Sequence, residues 1–392
     1  MGSRPFWSAS TDARSTQNGT LAMKTFVTLG PQKFQPSTDN IVMWGCCLDG
    51  DTTGTEVVAD LHDGTSTLDA ALLRTVVIYS SGGRFHVFGF VRITESSTPV
   101  DRTFTLRFGL QSNTSLPAGC QDGFICAFPL VPNVDVFEEV DAESTISVNA
   151  WAAGTDKLTK AFTPATTGNY LVLAKCAVQP QTSGPDAEIR LYNSTSAAAY
   201  STVDNFQQRA ALVGYNNWLG GWHGSLTGST SYTWKIQVGA STNTVKAKHA
   251  RFLALRVDEM PQVEYAESRG TSTTTSTTLQ SKVTKTYTAI ARPYLEFASA
   301  TVKHDNTTNW KAAMTIGGSA VDETELQTGS ATATNYYSFK KVRFVTPTAG
   351  SRTLGLYYCS STANTTTIEE AWVCAIRLNH PLPPTISATA GW

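Results

Sequence analysis

The chain carries few charges, and neither sign predominates. Charged residues make up 16% of its 392 residues, and the formal net charge is −1. Proteins that bind nucleic acid or anionic membranes through phosphate groups need clustered Lys and Arg, and the sequence has no such cluster. The composition therefore predicts neither a nucleic-acid partner nor a membrane partner.

Long apolar runs are also missing. No stretch approaches the ~20 apolar residues that a membrane-spanning helix requires. The first ten residues lack the apolar core of a signal peptide. The chain is therefore expected to be synthesised in a cytoplasm, without a signal peptide, and to stay soluble.

Cysteine is sparse and odd in number. Of the seven cysteines, Cys46 and Cys47 are adjacent, while Cys126, Cys176 and Cys374 lie within apolar segments. This usage is typical of small apolar residues in a reduced core rather than of a disulfide framework.

No motif in the sequence carries a catalytic mechanism. There is no Gly-x-Ser-x-Gly elbow, no phosphate loop and no His-Glu-x-x-His motif, and the six histidines show no paired zinc spacing. No catalytic residue, cofactor or metal ligand is therefore predicted, and the chain is expected not to be an enzyme. An enzyme whose carboxylate pair forms only in three dimensions is the alternative.

One segment has the oxygen ligands of a calcium loop. Asp49-Gly50-Asp51-Thr52-Thr53-Gly54 is followed by Asp60, which places a glycine at the sixth position and an acid at the twelfth. The segment lies between two predicted strands and lacks flanking helices. A hairpin turn, which Asp-Gly and Thr-Gly favour, is therefore preferred over a calcium site.

A strand-end signature returns three times along the chain. Apolar segments end in Ala127-Phe128-Pro129, Ala254-Leu255-Arg256 and Ala375-Ile376-Arg377, with one alanine in register at steps of 127 and 121 residues. A period of this size corresponds to a whole domain. Alternating strands upstream match as well, and their alternation places Leu106, Trp234 and Leu354 on inward faces. The repeat therefore predicts three homologous domains.

Many short alternating strands, separated by Gly, Asn and Ser turns, predict the fold class. The chain is expected to be all-β, with three tandem antiparallel β-sandwich domains that are jelly-roll-like. Proline and acidic residues mark the connections between them. The expected divisions are an N-terminal arm (1–23), three sandwiches (24–133, 134–262 and 263–380) and a C-terminal strap (381–392).

Helical signals are few. Segments 67–74, 203–212 and 321–326 follow the third predicted strand of each repeat and are interpreted as connecting loops with a helical turn at most. The Thr/Ser run from Thr271 to Thr278 predicts either a solvated lead-in or a first edge strand.

One aromatic cluster is a candidate recognition site. Tyr215, Trp218 and Trp222 stand beside amides and glycines, a mixture that can stack on a sugar ring and bond its hydroxyls. Because Trp218 and Trp222 are four residues apart on a strand, they share a face and are also suited to packing. Packing is the favoured interpretation, and glycan stacking is the alternative.

Both ends carry bulky apolar residues in polar surroundings. Phe6 and Trp7 lie in the predicted arm, and Ile386 and Trp392 lie in the proline-stiffened strap. These four residues are candidate partner-docking anchors, expected to be ordered only against another subunit. Two frayed termini are the alternative.

The Thr-rich sandwiches that close on an Ala-[Leu/Ile]-Arg strand, without a signal peptide or an active-site motif, resemble accessory virion proteins of tailed bacteriophages. That group includes capsid decoration (cement) proteins and head or tail fibres. The resemblance extends over about residues 24–380, and the first repeat departs from it with Pro129 in place of Arg256 and Arg377.

The resemblance implies a non-enzymatic virion protein, most simply a capsid decoration protein that docks on the phage head. Its partners would be the major capsid protein, other virion proteins and further copies of the chain. A carbohydrate-binding host-recognition module of a phage fibre is the alternative.

Overall fold

The computed structural model describes residues 6–17, 23–34, 36–50, 56–74, 84–98, 100–110, 118–147, 155–180, 187–206, 215–240, 244–304, 309–327, 336–360 and 362–378. Within these ranges the regular structure is β-strand, apart from one 3-10 turn at Val257–Glu259. The described residues include no helix long and apolar enough to cross a membrane.

The strands fall into three successive sets. The first set is β1 (Trp7–Thr11), β2 (Ser15–Gln17), β3 (Lys24–Lys33), β4 (Asp39–Gly50), β5 (Glu56–His62), β6 (Thr67–Arg74), β7 (Arg84–Thr94), β8 (Asp101–Leu110) and β9 (Ala118–Pro129). The second set is β10 (Val136–Val140), β11 (Ser144–Ile146), β12 (Asp156–Phe162), β13 (Gly168–Pro180), β14 (Ala187–Asn193), β15 (Ala198–Phe206), β16 (Asn216–Leu226), β17 (Tyr232–Ala240) and β18 (Val245–Arg256). The third set is β19 (Val263–Ser268), β20 (Ser272–Thr274), β21 (Gln280–Ala289), β22 (Tyr294–His304), β23 (Asn309–Ile316), β24 (Ser319–Gln327), β25 (Tyr336–Val345), β26 (Gly350–Ser360) and β27 (Thr366–Arg377).

Each set folds into two antiparallel sheets with the same strand order, a four-stranded outer sheet and an inner sheet in which two short strands follow each other along the last strand. In the first sandwich the inner sheet runs β1-β9-β4-β7 and the outer sheet β3-β8-β5-β6. The second sandwich has β10-β18-β13-β16 and β12-β17-β14-β15, and the third has β19-β27-β22-β25 and β21-β26-β23-β24. This order, with the chain crossing repeatedly between two sheets, is the jelly roll. The prediction of three tandem jelly-roll-like sandwiches is confirmed.

The repeat holds at the level of single residues. Ala127, Ala254 and Ala375 each lie on the last strand of an inner sheet, and their cross-strand partners are Val42, Val172 and Glu296. Five residues before each alanine, a residue other than glycine adopts a positive φ at a bulge in the same strand. These residues are Asp122 (φ 51°), His249 (φ 49°) and Glu370 (φ 50°). The same irregularity, three times in one register, marks the three domains as equivalent.

Each sandwich has a core of its own between its two sheets. Leu106, Trp234 and Leu354 are fully buried in these cores. The inward facing that the alternating pattern predicts is therefore confirmed.

A fourth core joins the three sandwiches to one another. Its members come from the far faces of all three inner sheets and include Phe88, Leu173 and Phe297. Strands β7, β16 and β25 contact one another pairwise there, so the inner sheets surround a common axis. Because they are covered on both faces, residues 41–48 of β4 and 170–178 of β13 are buried without alternation. The sandwiches thus form a closed ring with approximate three-fold symmetry.

The predicted helical turns are wrong. Residues 67–74 are strand β6, and the described parts of 203–212 and 321–326 belong to strands β15 and β24. These three strands pair along β5, β14 and β23 respectively, and close the outer sheets. Cross-strand pairing supplies hydrogen bonds that an isolated turn of helix lacks, so it overrides the helical preference of Leu, Ala and Glu.

The prediction of an N-terminal arm over residues 1–23 is wrong for the strands it contains. Trp7–Thr11 pairs with β9 from Ala127 to Gly123, and Ser15–Gln17 continues along β9, so both strands belong to the first inner sheet. The Thr/Ser run after Thr271 likewise contains an edge strand, β20, which pairs with β27. Of the two interpretations of this run, the edge strand is therefore confirmed and the solvated lead-in is not.

Candidate functional site

The interface between the first and second sandwiches is built on a buried carboxylate. Asp69 of β6 has no exposed side-chain area and accepts hydrogen bonds from Lys175 Nζ (2.5 Å) and Trp44 Nε1 (2.9 Å). Its other oxygen lies 2.6 Å from Nη1 of Arg251. Lys175 and Arg251 belong to the second inner sheet and are themselves 1% exposed. We call Asp69, Lys175 and Arg251 the ion cluster.

Burial and pairing compete over the charges of the ion cluster. Burial alone raises the pKa of Asp69, but the adjacent Arg251 and Lys175 hold that pKa below its usual value. Burial lowers the pKa of Lys175 to about 8, even though Asp69 acts in the opposite direction. All three groups are therefore charged at neutral pH, and each depends on the others for its compensation.

A glycine makes room for this arrangement. A Cβ atom on Gly89 of β7 would lie 2.1 Å from Oδ2 of Asp69 and 2.3 Å from Nε1 of Trp44. Any larger residue would displace the carboxylate from its donors. The close approach of Asp69 to the strand therefore requires glycine at this position.

Arg251 extends the contact across the second inner sheet. Its Nη1 donates to the carbonyl of Phe90 in the first sandwich (3.0 Å), and its Nη2 lies 3.2 Å from Oδ1 of Asp141. Nε of Arg251 is 3.4 Å from Glu139. One guanidinium thus joins the first sandwich to the edge strand of the second.

The interface between the second and third sandwiches uses hydroxyl and backbone groups instead. The backbone N–H of Ser201 donates to Glu370 (3.1 Å), and the Ser299 hydroxyl donates to the carbonyl of Leu219 (3.1 Å). Burial raises the pKa of Glu370. Arg269 stacks over the ring of Tyr200 at 4.2 Å. This interface relies on many weak contacts rather than on one buried ion cluster.

The third interface closes the ring between the last and the first sandwich. Lys341 of β25, 1% exposed, pairs with Asp122 of β9 at 3.0 Å. The ring of Phe6 is stacked between Phe128 (6.1 Å) and Phe344 (6.4 Å), so it bridges the two domains. A cavity of about 230 Å³ lies beside them. It is lined by Asp12, Asp122, Gly123, Phe124, Val321, Lys341, Arg343 and Phe344.

The candidate docking residues at the N-terminal end lie in cores. Phe6 is 3% exposed in the shared core, and Trp7 packs edge-on against Phe34 at 5.0 Å. This packing leaves Phe6 no free face for a partner. Ile386 and Trp392 lie outside the described residues, so their docking role stays a prediction.

The candidate glycan-stacking residues occupy three different environments. Trp218 is 1% exposed and donates to the carbonyl of Ser201. Trp222 packs on Trp234 at 5.1 Å, and Tyr215 bonds Glu143 while Lys248 covers its ring at 4.0 Å. The three side chains therefore do not form one open platform.

The calcium-loop segment is only partly described. The carboxylate of Asp60 is already occupied by a bidentate contact with Arg107 (2.9 and 2.7 Å). The connection from β4 to β5 leads from the inner to the outer sheet, so the predicted hairpin is wrong. No group of three or more metal-ligating side chains occurs among the described residues.

The ion cluster was not predicted from the sequence. Its signal is a charged residue within an otherwise apolar strand, such as Lys175 in the buried run of β13 or Arg251 beside Phe252 in β18. A buried charge of this kind requires a partner, which indicates a contact beyond the sandwich's own core. Sequence alone does not reveal that Asp69 is that partner.

Comparison with known proteins gives no match to a family model and no match among curated proteins. Several similar solved structures come from viruses. A triple jelly roll protein from the turret of an archaeal virus is 10% identical, with 96% of this chain and 92% of that chain covered and a TM-score of 0.23. The VP2 subviral particle of infectious bursal disease virus is 7% identical, with 96% and 81% covered and a TM-score of 0.22. A structure of Sulfolobus turreted icosahedral virus is 9% identical, with 96% of this chain and 91% of that chain covered and a TM-score of 0.22. The jelly-roll assignment rests on the strand order of the chain itself.

Proposed function

We propose that the protein is a non-enzymatic structural component of a virion. The observation that carries this proposal is the closed ring of three jelly rolls around one shared core. Jelly rolls build viral capsids, lectins and cupins. In this chain each inner sheet is buried against the other sandwiches, so the fold is used for assembly rather than for enclosing a ligand.

Ring geometry supports a place in a symmetric particle. Each sandwich presents its sixth strand (β6, β15 or β24) to the seventh strand (β16, β25 or β7) of the next inner sheet, and this head-to-tail contact closes after three units. A body of this shape offers three similar outer surfaces and fits a position of local three-fold symmetry. The outer sheets, which face away from the axis, are available for contacts with neighbouring subunits.

Within that class we propose capsid decoration, in which the chain attaches to a preformed phage head. The described surface supports a discrete protein rather than a shell-forming one. Among the described residues only Val100 and Ile290 are large exposed hydrophobic side chains. Subunits that form a continuous shell bury larger apolar areas between copies.

Electron microscopy of the purified chain, alone and mixed with empty heads of the virus that encodes it, tests this proposal. We expect discrete particles when the chain is alone and added density on the heads in the mixture. Closed shells formed by the chain alone would show a shell-building protein instead. Binding to host glycans without binding to heads would favour the fibre-module alternative.

Deleting residues 381–392 should weaken attachment to heads while leaving the melting temperature nearly unchanged. Each sandwich has its own core, and the three share a fourth. The described residues of these four cores all precede residue 381. Co-sedimentation with heads and thermal melting measure the two effects separately.

Trp392→Ala in the full chain is the matched point variant, and it should reproduce part of the loss. Unaltered co-sedimentation would place the docking surface elsewhere, on the outer sheets. Loss of the fold would show that the strap belongs to a domain core.

A further inference from the structure

One set of three equivalent residues around the axis of the ring departs from the three-fold symmetry. Phe88 of β7, Leu219 of β16 and Lys340 of β25 occupy equivalent positions, because they pair with the equivalent residues Gly45, Lys175 and Ser299. Phe88 and Leu219 are buried members of the shared core. The third equivalent position is Lys340. A cation therefore lies where the other two sandwiches have an apolar side chain.

Lys340 has no carboxylate partner among the described residues. Its ammonium group donates to the backbone carbonyl of Asn217 in the second sandwich. Burial, and to a lesser extent the positive charge of nearby Lys175, lower the pKa of Lys340 to about 7. Lys175 itself is already paired with Asp69. When Lys340 is protonated, the axis at this level therefore carries a positive charge that no carboxylate of the described residues compensates.

The next level along the same strands is polar in all three sandwiches. His86, Asn217 and Ser338 lie two residues before Phe88, Leu219 and Lys340, so strand alternation places them on the face that lines the axis. His86 and Asn217 are 6% and 7% exposed. Imidazole, amide and hydroxyl groups can each donate a hydrogen bond to an oxyanion.

We propose that this end of the axis is a binding site for a small oxyanion, of the class of inorganic phosphate or sulfate. Lys340 supplies the charge, and His86, Asn217 and Ser338 supply hydrogen-bond donors. A partly buried ammonium group without a carboxylate partner is favoured by a bound anion, whose several acceptor oxygens compensate its charge. The donors come from all three sandwiches, so a bound anion would also hold the ring together.

Thermal melting of the full chain in phosphate or in chloride, at equal ionic strength and neutral pH, tests the proposal. Millimolar phosphate should raise the melting temperature of the native chain by about 1 to 3 °C through binding to the folded state. Isothermal titration calorimetry with phosphate should give one site per chain. Lys340→Met should abolish both effects, and Lys340→Arg, which keeps the charge, should retain them.

Lys285→Met is the matched control. Lys285 lies on the outer sheet of the third sandwich, 35% exposed and paired with Glu264, so its loss should leave the phosphate effect intact. Absence of a phosphate-specific shift in the native chain overturns the proposal. An equal shift in the native chain and in Lys340→Met overturns it as well, because the anion would then bind elsewhere.

Discussion

Asp69→Asn should destabilise the chain by about 3 to 5 kcal/mol, because it leaves buried Lys175 without a carboxylate and removes the fully buried partner of Arg251. Lys175 Nζ and Arg251 Nη1 lie 2.5 and 2.6 Å from the two oxygens of Asp69, and all three side chains are excluded from solvent. An amide occupies the same space but compensates neither charge. Urea unfolding followed by circular dichroism measures the change.

Two further variants isolate the electrostatic cause. Asp156→Asn removes a carboxylate from a partly exposed pair with Lys235, with side chains 29% and 25% exposed. It should cost less than about 1 kcal/mol. Replacing the whole cluster, with Asp69→Leu, Lys175→Met and Arg251→Met, should recover much of the loss, because no fully buried charge of the cluster remains and Glu139 and Asp141 are partly exposed. If Asp69→Asn costs no more than Asp156→Asn, the cluster does not hold the first interface together.

The acid response of the chain follows from the same carboxylate. The pKa of Asp69 is held below its usual value of 3.8. Its contribution to stability is therefore fully present above that pH, and it is lost as the pH falls through the lower pKa of the folded state. Asp69→Asn should accordingly flatten this part of the acid-unfolding profile.

The sandwiches were predictable because their signals are local. Apolar residues at every second position predicted strands such as β8, β17 and β26. The strand-end signature, which repeats after about one domain length, grouped these strands into three units. The outer-sheet strands after β5, β14 and β23 were missed. Their Leu, Ala and Glu content fits a helix equally well, and only the pairing partner decides between the two.

The ring was not predicted, although the sequence carries a signal for it. Strand β13 reads Tyr170-Leu-Val-Leu-Ala-Lys175 with hardly any alternation, whereas β14 alternates between buried and partly exposed positions along its length. A strand that is buried on one face alternates, and a strand that is covered on both faces does not. The continuous apolar runs of β4 and β13 therefore indicate that something covers their outer faces. The identity of that cover depends on contacts between residues more than one hundred positions apart, such as Asp69 with Lys175.

The terminal aromatics show the same limit. Phe6 stands in a polar segment, and its sequence surroundings suit an exposed anchor as well as a core residue. Its burial depends on Phe128 of the first sandwich and Phe344 of the third, which meet only when the ring closes. Local composition does not contain that information.

Trp234→Ala should cost about 3 to 5 kcal/mol, because it removes a fully buried indole from the core of the second sandwich. The ring packs against Trp222 (5.1 Å), Tyr200 (5.8 Å) and Phe252 (6.1 Å), so its loss leaves a cavity lined by large side chains that cannot all move in. Among the described residues its indole N–H has no hydrogen-bond acceptor. Trp234→Phe loses volume but no hydrogen bond, and should cost about 1 to 2 kcal/mol.

The shared core determines how this loss appears in an unfolding experiment. Leu354→Ala makes the equivalent cavity in the third sandwich and should cost about 2 to 5 kcal/mol. Because the inner sheets bury their far faces against one another, each substitution should lower one common transition of the whole chain. Calorimetry of Trp234→Ala and Leu354→Ala measures this directly. Separate transitions, with only the substituted sandwich melting early, would show that the shared core does not couple the three domains.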